Sequence, residues 1–429
     1  MKQLFVIAAV TFLSCTAVAQ TGHIMQGIGA RNISMGGAAT GQPLDISGVL
    51  QWNPAGISAF NNNVFSVNAG LFFSSPELSS TVPTSGGPFS GVTKDDRGAS
   101  VMPALAMVWG KKDSKHTFGV SAFGISGFGV TFPQSTTNPI NFPQSSQGFG
   151  RIESDYMLLQ VGFTYAYEVS ENFAIGIAPT FNYSSLKLAP NPLASPSMTL
   201  GYPVSDRASA LGIGAQVGLF YNSGTGFKAG ASYKTPQYFG DFEFKNTYLD
   251  GSAAPDVTFK MNYPAILSAG LGFSGDKLDL ALDYRFVNYK NTDGFAAKGW
   301  TNTASVKGFG WENISIVSAG LQYKGIKKLP LRAGYTYSSN PINSELAFFS
   351  TPATAIIKNA FQLGVGFELT KKMSLDLAYH HGSSSGSTSG PLLSPMLASS
   401  SNPYGAIPGS NVSYKMSTDL IMLGLNVTF

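Results

Sequence analysis

The feature that most constrains this chain is an alternation of apolar and polar residues that recurs along its length. The stretches MSLDLAYHH, AFQLGVGFEL and LDLALDYRF, at 373–381, 360–369 and 278–286, all show it. In the C-terminal stretch KMSTDLIMLGLNVTF, one face carries only apolar residues, namely Ile421, Leu423, Leu425, Val427 and Phe429. A period of two predicts β-strands with one apolar face and one more polar face.

Counting every such run predicts about fourteen strands. They lie near 64–75, 101–110, 116–125, 154–169, 173–187, 208–222, 226–236, 258–274, 277–290, 313–324, 329–339, 358–369, 373–382 and 415–429. Short connections such as 170–172 alternate with long ones such as 76–100, 126–153 and 383–414. Outer-membrane barrels have short periplasmic turns and long external loops, whereas a soluble β-sandwich has no reason to sort its loops in this way. The sequence therefore predicts an all-β fold, a 14-stranded antiparallel transmembrane β-barrel.

The N-terminus predicts export. Met1 to Ala19 has Lys2, an apolar run and Ala17-Val18-Ala19, as in a secretory signal peptide cleaved after Ala19. The alternative is that Cys15, the only cysteine, becomes a lipidated N-terminus, although the residues before it make a poor lipoprotein box. With 12% charged residues and a net charge of +4, the composition favours the bacterial outer membrane and gives no indication of a nucleic-acid partner.

The segment GARNISMGGAATGQPLDISGVLQWNPAGIS, at 29–58, has neither a helical nor a strand period. A barrel of this size encloses a lumen that wall side chains do not fill. We therefore predict a hatch over 20–63 that plugs the barrel of 64–429, with Asn53 as a helix N-cap and Pro54 as the first helical residue. A disordered linker is the alternative, but it would not need apolar residues such as Trp52 and Ile57.

This segment resembles the N-terminal hatch of the FadL/TodX family, outer-membrane transporters of long-chain fatty acids and hydrophobic aromatic compounds. The matching residues are Gly29-Ala30-Arg31, Met35-Gly36-Gly37-Ala38, Asp45 and Asn53-Pro54-Ala55, and 231–239, 280–290 and 331–342 are also similar. Asp45 stands alone where many relatives have consecutive aspartates. The resemblance implies that external loops capture a hydrophobic ligand, which passes to a lumen pocket. A shift of the hatch then releases it sideways into the bilayer.

The third predicted strand carries three closely spaced glycines, Gly124, Gly127 and Gly129, within FGVSAFGISGFGVTFP. Glycines inside a strand weaken its pairing and often mark a bulge or a bend. The resemblance implies a lateral opening at a kink in this strand. The alternative is that these glycines only begin the external loop after residue 126.

Two predicted external loops contain apolar stretches, at 343–357 and 391–409. Exposed apolar surface of this kind often binds hydrophobic ligands, although the two loops could instead pack on each other as a lid.

Five ionisable residues are predicted on lumen faces, namely Asp283, Arg285, Arg332, Glu368 and Asp376. An arginine could clamp a ligand carboxylate. We favour ion-pair networks that fix the hatch to the wall. His380 lies four residues after Asp376 and before 383–385, a serine run, but no nucleophile elbow accompanies it. We therefore predict neither enzyme activity nor a cofactor, and no Cys/His cluster indicates a metal site.

Phe429 ends the chain with an aromatic residue that resembles the recognition signal of outer-membrane barrels. The expected partners are thus the barrel assembly machinery, outer-membrane lipid and a hydrophobic small-molecule ligand, with the protein acting as a monomer. Two other functions remain open, a general diffusion porin and a structural or adhesive barrel.

Overall fold

The computed structural model describes the backbone of residues 19–429 and the side chains from Gly22 onward. The predicted signal peptide up to residue 18, including Lys2 and Cys15, lies outside the described residues. Within the described range, no helix combines the length and the apolar character that a membrane crossing requires.

Fourteen antiparallel strands form a closed wall. They are β1 (Val64–Thr84), β2 (Ala99–Trp109), β3 (His116–Phe132), β4 (Ile152–Ser170), β5 (Phe173–Ala189), β6 (Ala208–Asn222), β7 (Phe227–Lys234), β8 (Ile266–Ser274), β9 (Leu278–Val287), β10 (Ile314–Tyr323), β11 (Leu331–Ser338), β12 (Asn359–Glu368), β13 (Met373–Ser383) and β14 (Asn411–Thr428). Because β1 pairs with both β2 and β14, the sheet closes on itself. The predicted fold class is confirmed.

The alternation of the sequence matches the two faces of the wall. Leu282 of β9 is 48% exposed, whereas its neighbour Asp283 is 1% exposed. Successive side chains of a strand point to opposite faces, so the apolar set faces outward and the polar set faces the lumen. The short turns and the C-terminus mark the periplasmic end, and the long loops mark the external end.

Some predicted strand boundaries differ from those of the structure. The predicted loop over 76–100 is largely β-structure, because β1 continues to Thr84 and Gly87–Lys94 folds back on it as a hairpin. The strand predicted over 258–274 begins only at Ile266. Pro264 lies two residues before Ile266, and proline cannot donate a hydrogen bond to the ladder.

The third strand is longer than predicted. β3 continues to Phe132, so the alternative that the glycines begin an external loop after residue 126 is wrong. Its outer half pairs with β4 from Ser126↔Leu158 to Phe132↔Ile152, which satisfies the backbone groups that a loop would leave open.

The external loops carry short elements of their own. A small sheet joins Val204–Ser205, Phe242–Thr247 and Ala253–Phe259, and two further short strands are Tyr238–Phe239 and Thr388–Gly390. Single 3-10 turns or helices lie at Pro139–Asn141, Gln144–Ser146, Tyr289–Asn291, Ser344–Ser350 and Pro395–Leu397.

The chain before β1 lies inside the barrel. It contains a strand (Ala19–Ile24), helices α1 (Ala30–Ser34) and α2 (Ile46–Trp52), and a 3-10 helix (Pro54–Ala59). Nearly every described residue from Gly22 to Ser58 is buried. We call this inner segment the hatch.

Glycines in the wall let the hatch backbone approach closely. Gly230 of β7 and Gly270 of β8 are partners across the sheet, and a Cβ at Gly230 would overlap the carbonyl oxygen of Thr40. Gly320 of β10 and Gly334 of β11 form a second such pair, packed against Met35 and Gly36. The glycines of the lumen face therefore form docking positions for the hatch.

Candidate functional site

A polar network joins α1 to the periplasmic half of the wall. Arg31 Nη2 lies 3.0 Å from Asp376 Oδ2, and Arg332 Nη1 lies 2.7 Å from Asp376 Oδ1. Asn426 Nδ2 donates to the same carboxylate at 2.9 Å. Asp376 is fully buried, and the two guanidinium groups compensate its charge while the Asn426 amide adds a hydrogen bond. The structure thus brings two of the predicted polar residues, Arg332 and Asp376, together around a hatch arginine.

A second network holds the middle of the hatch. Asp283 Oδ2 accepts hydrogen bonds from the backbone N–H groups of Ala39 and Thr40, both at 2.9 Å. Arg285 Nη2 lies 2.7 Å from the same oxygen and donates to the carbonyl of Gly37 at 2.7 Å. The guanidinium also lies over the ring of Trp52, 3.7 Å from its centroid. In this structure Asp283 and Arg285 bind the hatch.

The Glu368 carboxylate makes no ion pair in either network, although its charge acts on Arg31. It is exposed at the periplasmic mouth, beside an open cavity that Arg31, Lys371 and Lys372 also line. No ion pair among the described residues includes it.

Asp45 begins α2. Its Oδ1 accepts a hydrogen bond from the backbone N–H of Gly48 at 3.3 Å. Burial raises the pKa of Asp45 to about 6, although the positive charge of nearby Arg31 opposes that rise.

Asn53 connects the hatch to itself and to the wall. Its Oδ1 accepts from the backbone N–H of Ala55 at 3.1 Å and caps the 3-10 helix that begins at Pro54. Its Nδ2 donates to the carbonyls of Thr40 and Leu219, both at 2.9 Å. The predicted cap is therefore present, on a 3-10 helix, and the same side chain also reaches β6.

β3 bends at a β-bulge between Gly124 and Ser126. Pairing between β2 and β3 runs from Trp109↔Phe118 to Ala104↔Phe123 and ends there. Beyond that point the strand of the hatch pairs with β3, because Ile24 is the partner of Ser126 and Met25 N donates to Ile125 O at 3.1 Å. The two wall strands thus separate, and the hatch N-terminus occupies the inner side of the gap.

The bulge also changes which residues face the lumen. Gly124 lies just before the bulge, whereas Gly127 and Gly129 follow it as partners of Met157 and Asp155. An extra residue shifts the alternation by one, so Phe128 faces the lumen and Gly127 and Gly129 face outward.

An arginine covers the outer side of this gap. A Cβ on Gly129 would overlap Arg97 Nη1, and Arg97 Nη2 lies 2.5 Å from Asp155 Oδ1. Asp95 Oδ1 accepts from the backbone N–H of Thr131 at 2.5 Å. The gap between β2 and β3 is thus filled by side chains and the hatch rather than by strand pairing.

His23 lies in a buried box of aromatic side chains inside the lumen. His23 Nδ1 is 2.7 Å from the hydroxyl of Tyr289. The centroids of the His23 and Phe295 rings are 4.5 Å apart. The other walls of this aromatic box are Tyr156, Tyr263 and Trp311. Burial in this apolar surrounding lowers the pKa of His23 to about 3.

An apolar cleft opens between the external loops. It has a free volume of about 490 Å³, including the part open to solvent, and Trp300, Phe348 and Phe349 lie among its lining residues. The apolar part of 343–357 is largely buried here, as a lid would be. By contrast, Met396 in 391–409 is 82% exposed.

Two residues of the site, His23 and Lys234, were not predicted from the sequence. Lys234 is buried at the end of β7, with Nζ 3.2 Å from Gln160 Oε1 and 3.4 Å from Gln51 Oε1. The position of Lys234 on the lumen face of a strand could have been predicted from the sequence. Its neighbours could not be predicted, because Gln51 comes from the hatch.

Catalytic and metal constellations are not formed by the described residues. His380 lies near Gln362 and Thr418, at 3.2 and 3.4 Å, rather than near Asp376 or a serine. In the described range no group of His, Cys, Asp and Glu is arranged to hold a metal ion.

Comparison with known proteins gives a family match over nearly the whole chain. The model of the family described as outer membrane protein transport protein (OMPP1/FadL/TodX) matches residues 10–428. No individually curated protein matches the sequence.

Solved structures share the fold at low sequence identity. The Pseudomonas putida toluene transporter TodX has 18% identity and a TM-score of 0.68, over 94% of this chain and 99% of that one. A Pseudomonas aeruginosa FadL homologue has 13% identity and a TM-score of 0.72, over 95% and 100%. The Ralstonia pickettii toluene transporter TbuX has 19% identity and a TM-score of 0.62, over 94% and 99%.

Proposed function

The chain belongs to the OMPP1/FadL/TodX family of outer membrane transport proteins, and we propose that it moves hydrophobic small molecules from the external loops to the bilayer through the side of its barrel. The family consists of outer-membrane transporters of hydrophobic compounds and not of enzymes. The substrate class we propose is long-chain fatty acids or aromatic hydrocarbons, since two of the similar structures are toluene transporters.

The observation that carries this proposal is the separation of β2 and β3. The pairing of β2 with β3 ends at Ala104↔Phe123, and the hatch strand takes up the inner edge of β3 at Ser126. A hatch that withdraws from this edge opens the inner side of the gap, and the gap reaches the lipid when Arg97 also leaves its outer side. An apolar ligand leaving there avoids periplasmic water, which would cost about 0.8 kcal/mol per exposed methylene.

The route has four steps. The apolar cleft lined by Trp300, Phe348 and Phe349 captures the ligand. The ligand then enters the lumen near the aromatic box, where it competes with His23 for apolar surface. The hatch N-terminus moves away, and the ligand passes between β2 and β3 at Gly124, Gly127 and Gly129. One chain supplies every step, so we propose that it acts as a monomer.

The filled lumen argues against a general diffusion porin. A porin needs a water-filled channel, whereas here Asp283 and Asp376 of the wall bind the hatch, and Asn53 of the hatch binds the wall. A structural or adhesive barrel would not need a hatch strand at a gap in its wall.

Uptake by cells tests the proposal. Cells that produce the protein and matched cells that lack it would receive radiolabelled toluene, radiolabelled oleate or a radiolabelled disaccharide. We expect the protein to increase uptake of at least one hydrophobic compound and not of the disaccharide. Increased disaccharide uptake would indicate a porin, and no increase for any compound would contradict transport.

A further inference from the structure

The short turns at the periplasmic end of the barrel are rich in lysine. Eight lysines, which we call the lysine arc, lie in three of the six turns, at 110–115, 324–330 and 369–372, beside one acidic residue, Asp113. They are Lys111, Lys112, Lys115, Lys324, Lys327, Lys328, Lys371 and Lys372. Because these turns join β2 to β3, β10 to β11 and β12 to β13, the arc follows the rim along consecutive strands from β10 through β14 and β1 to β3.

Other connections of the wall do not share this excess of positive charge. The remaining turns, 171–172, 223–226 and 275–277, contain one lysine, Lys277, and two acidic residues. The external loops contain ten basic and ten acidic residues. Those loops are 85–98, 133–151, 190–207, 235–265, 288–313, 339–358 and 384–410. Positive charge is thus concentrated on one part of one rim, as expected where a surface meets a negatively charged partner.

The protein itself does not neutralise most of the lysine arc. All eight lysines are exposed. Within residues 19–429 only Lys324 takes part in an ion pair, with its Nζ 2.9 Å from Asp279 Oδ1. Two acids at nearby strand ends, Glu168 and Glu368, form no ion pair with the arc. The other ammonium groups are therefore accessible to an external anion.

Aromatic side chains place the lysine arc at the depth of lipid head groups. Trp109, Tyr323 and Phe367 lie on the lipid face at the periplasmic ends of β2, β10 and β12, and they are 44%, 37% and 40% exposed. The first lysine after each aromatic residue follows within one to four positions. Outer-membrane barrels carry aromatic girdles at both membrane interfaces. The lysines therefore lie just outside the periplasmic girdle, level with the phosphate groups of that leaflet.

We propose that the lysine arc binds the phosphate groups of anionic phospholipids in the periplasmic leaflet of the outer membrane. An ammonium group attracts a phosphate as a compact point charge and does not require a planar, bidentate geometry. The long lysine stem lies along the apolar rim while its charge stays among the head groups. Several lysines near one membrane surface add their attractions, so a lipid with a net negative charge is favoured over a zwitterionic lipid. This surface is separate from the ligand route of the proposed function.

The placement of the lysine arc favours lipid over an acidic protein. Its three turns join strands on different parts of the closed wall, so the lysines follow the rim beside the bilayer instead of forming one compact patch. A protein interface usually has an apolar centre, whereas these turns expose only Ile326 and Leu369 as large apolar side chains. Lipid head groups need no such centre.

Trp109 makes a local test of lipid binding possible. It lies on the lipid face two residues before Lys111, whereas Trp52, Trp300 and Trp311 belong to the hatch and the external loops. The purified full-length protein would be reconstituted in phosphatidylcholine vesicles that contain either brominated phosphatidylglycerol or brominated phosphatidylcholine. Quenching of Trp109 fluorescence gives the relative occupancy of the two lipids beside the first turn of the arc.

We expect the wild-type protein to prefer phosphatidylglycerol over phosphatidylcholine at least about fivefold at this position. Sodium chloride at about 1 M should weaken the preference, because it screens exposed charges. Exchange of chloride for inorganic phosphate at constant ionic strength should leave the preference unchanged, because the bilayer holds its phosphate groups at a high local concentration.

Lysine variants locate the effect. Replacing Lys111, Lys112 and Lys115 together with Gln should abolish the preference at Trp109. The matched control is Lys277→Gln, which removes an exposed lysine on the other part of the rim and should retain the preference. A second reporter, Tyr323→Trp in a Trp109→Phe background, measures the turn 324–330 in the same way. Heat-modifiable migration on gels confirms that each variant is folded.

Four results would overturn the proposal. Equal quenching by the two brominated lipids in the wild-type protein would assign the arc to another anionic partner, such as an acidic protein. A preference that survives the triple replacement would place lipid binding elsewhere. An equal loss in Lys277→Gln would indicate a general effect of net charge, and loss of the preference in inorganic phosphate would indicate a site for the free ion. The proposed function is tested separately, by the uptake of labelled compounds.

Discussion

The hydroxyl of Ser126 donates a hydrogen bond to the backbone carbonyl of His23 at 2.7 Å. This bond joins the first residue after the β3 bulge to the strand of the hatch that lies in the aromatic box. The hydrogen bond therefore connects the inner edge of the gap between β2 and β3 directly to His23 in the lumen. Movement of His23 out of the box requires that the hatch strand leave β3.

Valine at the β3 glycines should close the lateral route. Replacing Gly124, Gly127 and Gly129 with Val, singly and together, adds side chains on both sides of the bulge. At Gly129 the new Cβ would lie 2.2 Å from Arg97 Nη1 and 2.8 Å from Ser154 O, so both groups must shift. We expect uptake of a hydrophobic substrate to fall while ligand binding to the purified barrel persists.

The matched control is Gly240→Val, because a Cβ there would meet only Leu211 O at 4.0 Å. Normal transport by the triple variant would contradict a lateral exit at this place. So would a parallel loss of binding and transport.

Replacing Asn53 and Pro54 with Ala should loosen the hatch. The change leaves Ala55 N and the carbonyls of Thr40 and Leu219 without the Asn53 side chain. Loss of the cap alone costs roughly 0.5–2 kcal/mol. We expect reduced uptake with an intact, heat-modifiable barrel, and normal uptake for the exposed control Asn62→Ala. If the double variant transports normally while folded, the hatch is only a plug.

Docking of the hatch N-terminus should weaken as the pH falls. Burial lowers the pKa of His23 to about 3, whereas a released His23 has a pKa near 6.5, so only the released form takes up a proton between these values. The groups that face it, Tyr156, Tyr263 and Tyr289, stay neutral in this range. From pH 7.5 to pH 5 the ratio of released to docked hatch should rise roughly thirtyfold.

A nitroxide attached to a Thr21→Cys variant would report the released fraction by its mobility. His23→Phe in the same background keeps an aromatic ring in the box and removes the titration. We expect the mobile fraction of this variant to be independent of pH. If its mobile fraction rises at low pH as much as that of the protein with His23, another group causes the effect.

The barrel itself should depend on its last residue. Phe429 donates its backbone N–H to Asn63 O at 3.0 Å, and the residue is 57% exposed beside the lipid face of β14. Deletion of Phe429 should lower the amount of folded barrel in outer membranes, whereas Phe429→Trp should preserve it because the ring is the expected signal. Unchanged yield after the deletion would show that the terminal aromatic is not needed for assembly.

The wall could be predicted from the sequence because alternation is a local property of each strand. The outward direction of Leu282 and the inward direction of Asp283 follow from their alternate positions along β9. The extension of β3 to Phe132 could not be predicted in this way, because the bulge at Gly124 and Ser126 shifts the alternation by one residue.

The candidate site was less predictable because most of its contacts join the hatch to the wall. Asp376 and Arg332 were recognised as lumen residues, but Arg31 as their common partner depends on where α1 docks. His23 and Lys234 have ordinary sequence contexts. Their importance follows from burial and from the neighbours that distant parts of the chain supply.

The central claim is that the hatch strand must leave β3 for transport, and a reversible disulfide tests it most directly. Ile24 and Ser126 are partners across the sheet, which places their Cα atoms within about 4.5–5.5 Å, a separation that a disulfide spans. The chain has one cysteine, Cys15 in the predicted signal peptide, and the predicted cleavage after Ala19 would leave the pair Ile24→Cys and Ser126→Cys without a competing thiol.

The control pair, Ala229→Cys and Leu271→Cys, joins β7 to β8 within the wall. Uptake of a radiolabelled hydrophobic substrate would be measured for both pairs after oxidation and again after reduction. We predict that the oxidised hatch pair loses uptake and regains it on reduction, while the wall pair transports in both states. Wild-type uptake by the fully oxidised hatch pair would contradict the account.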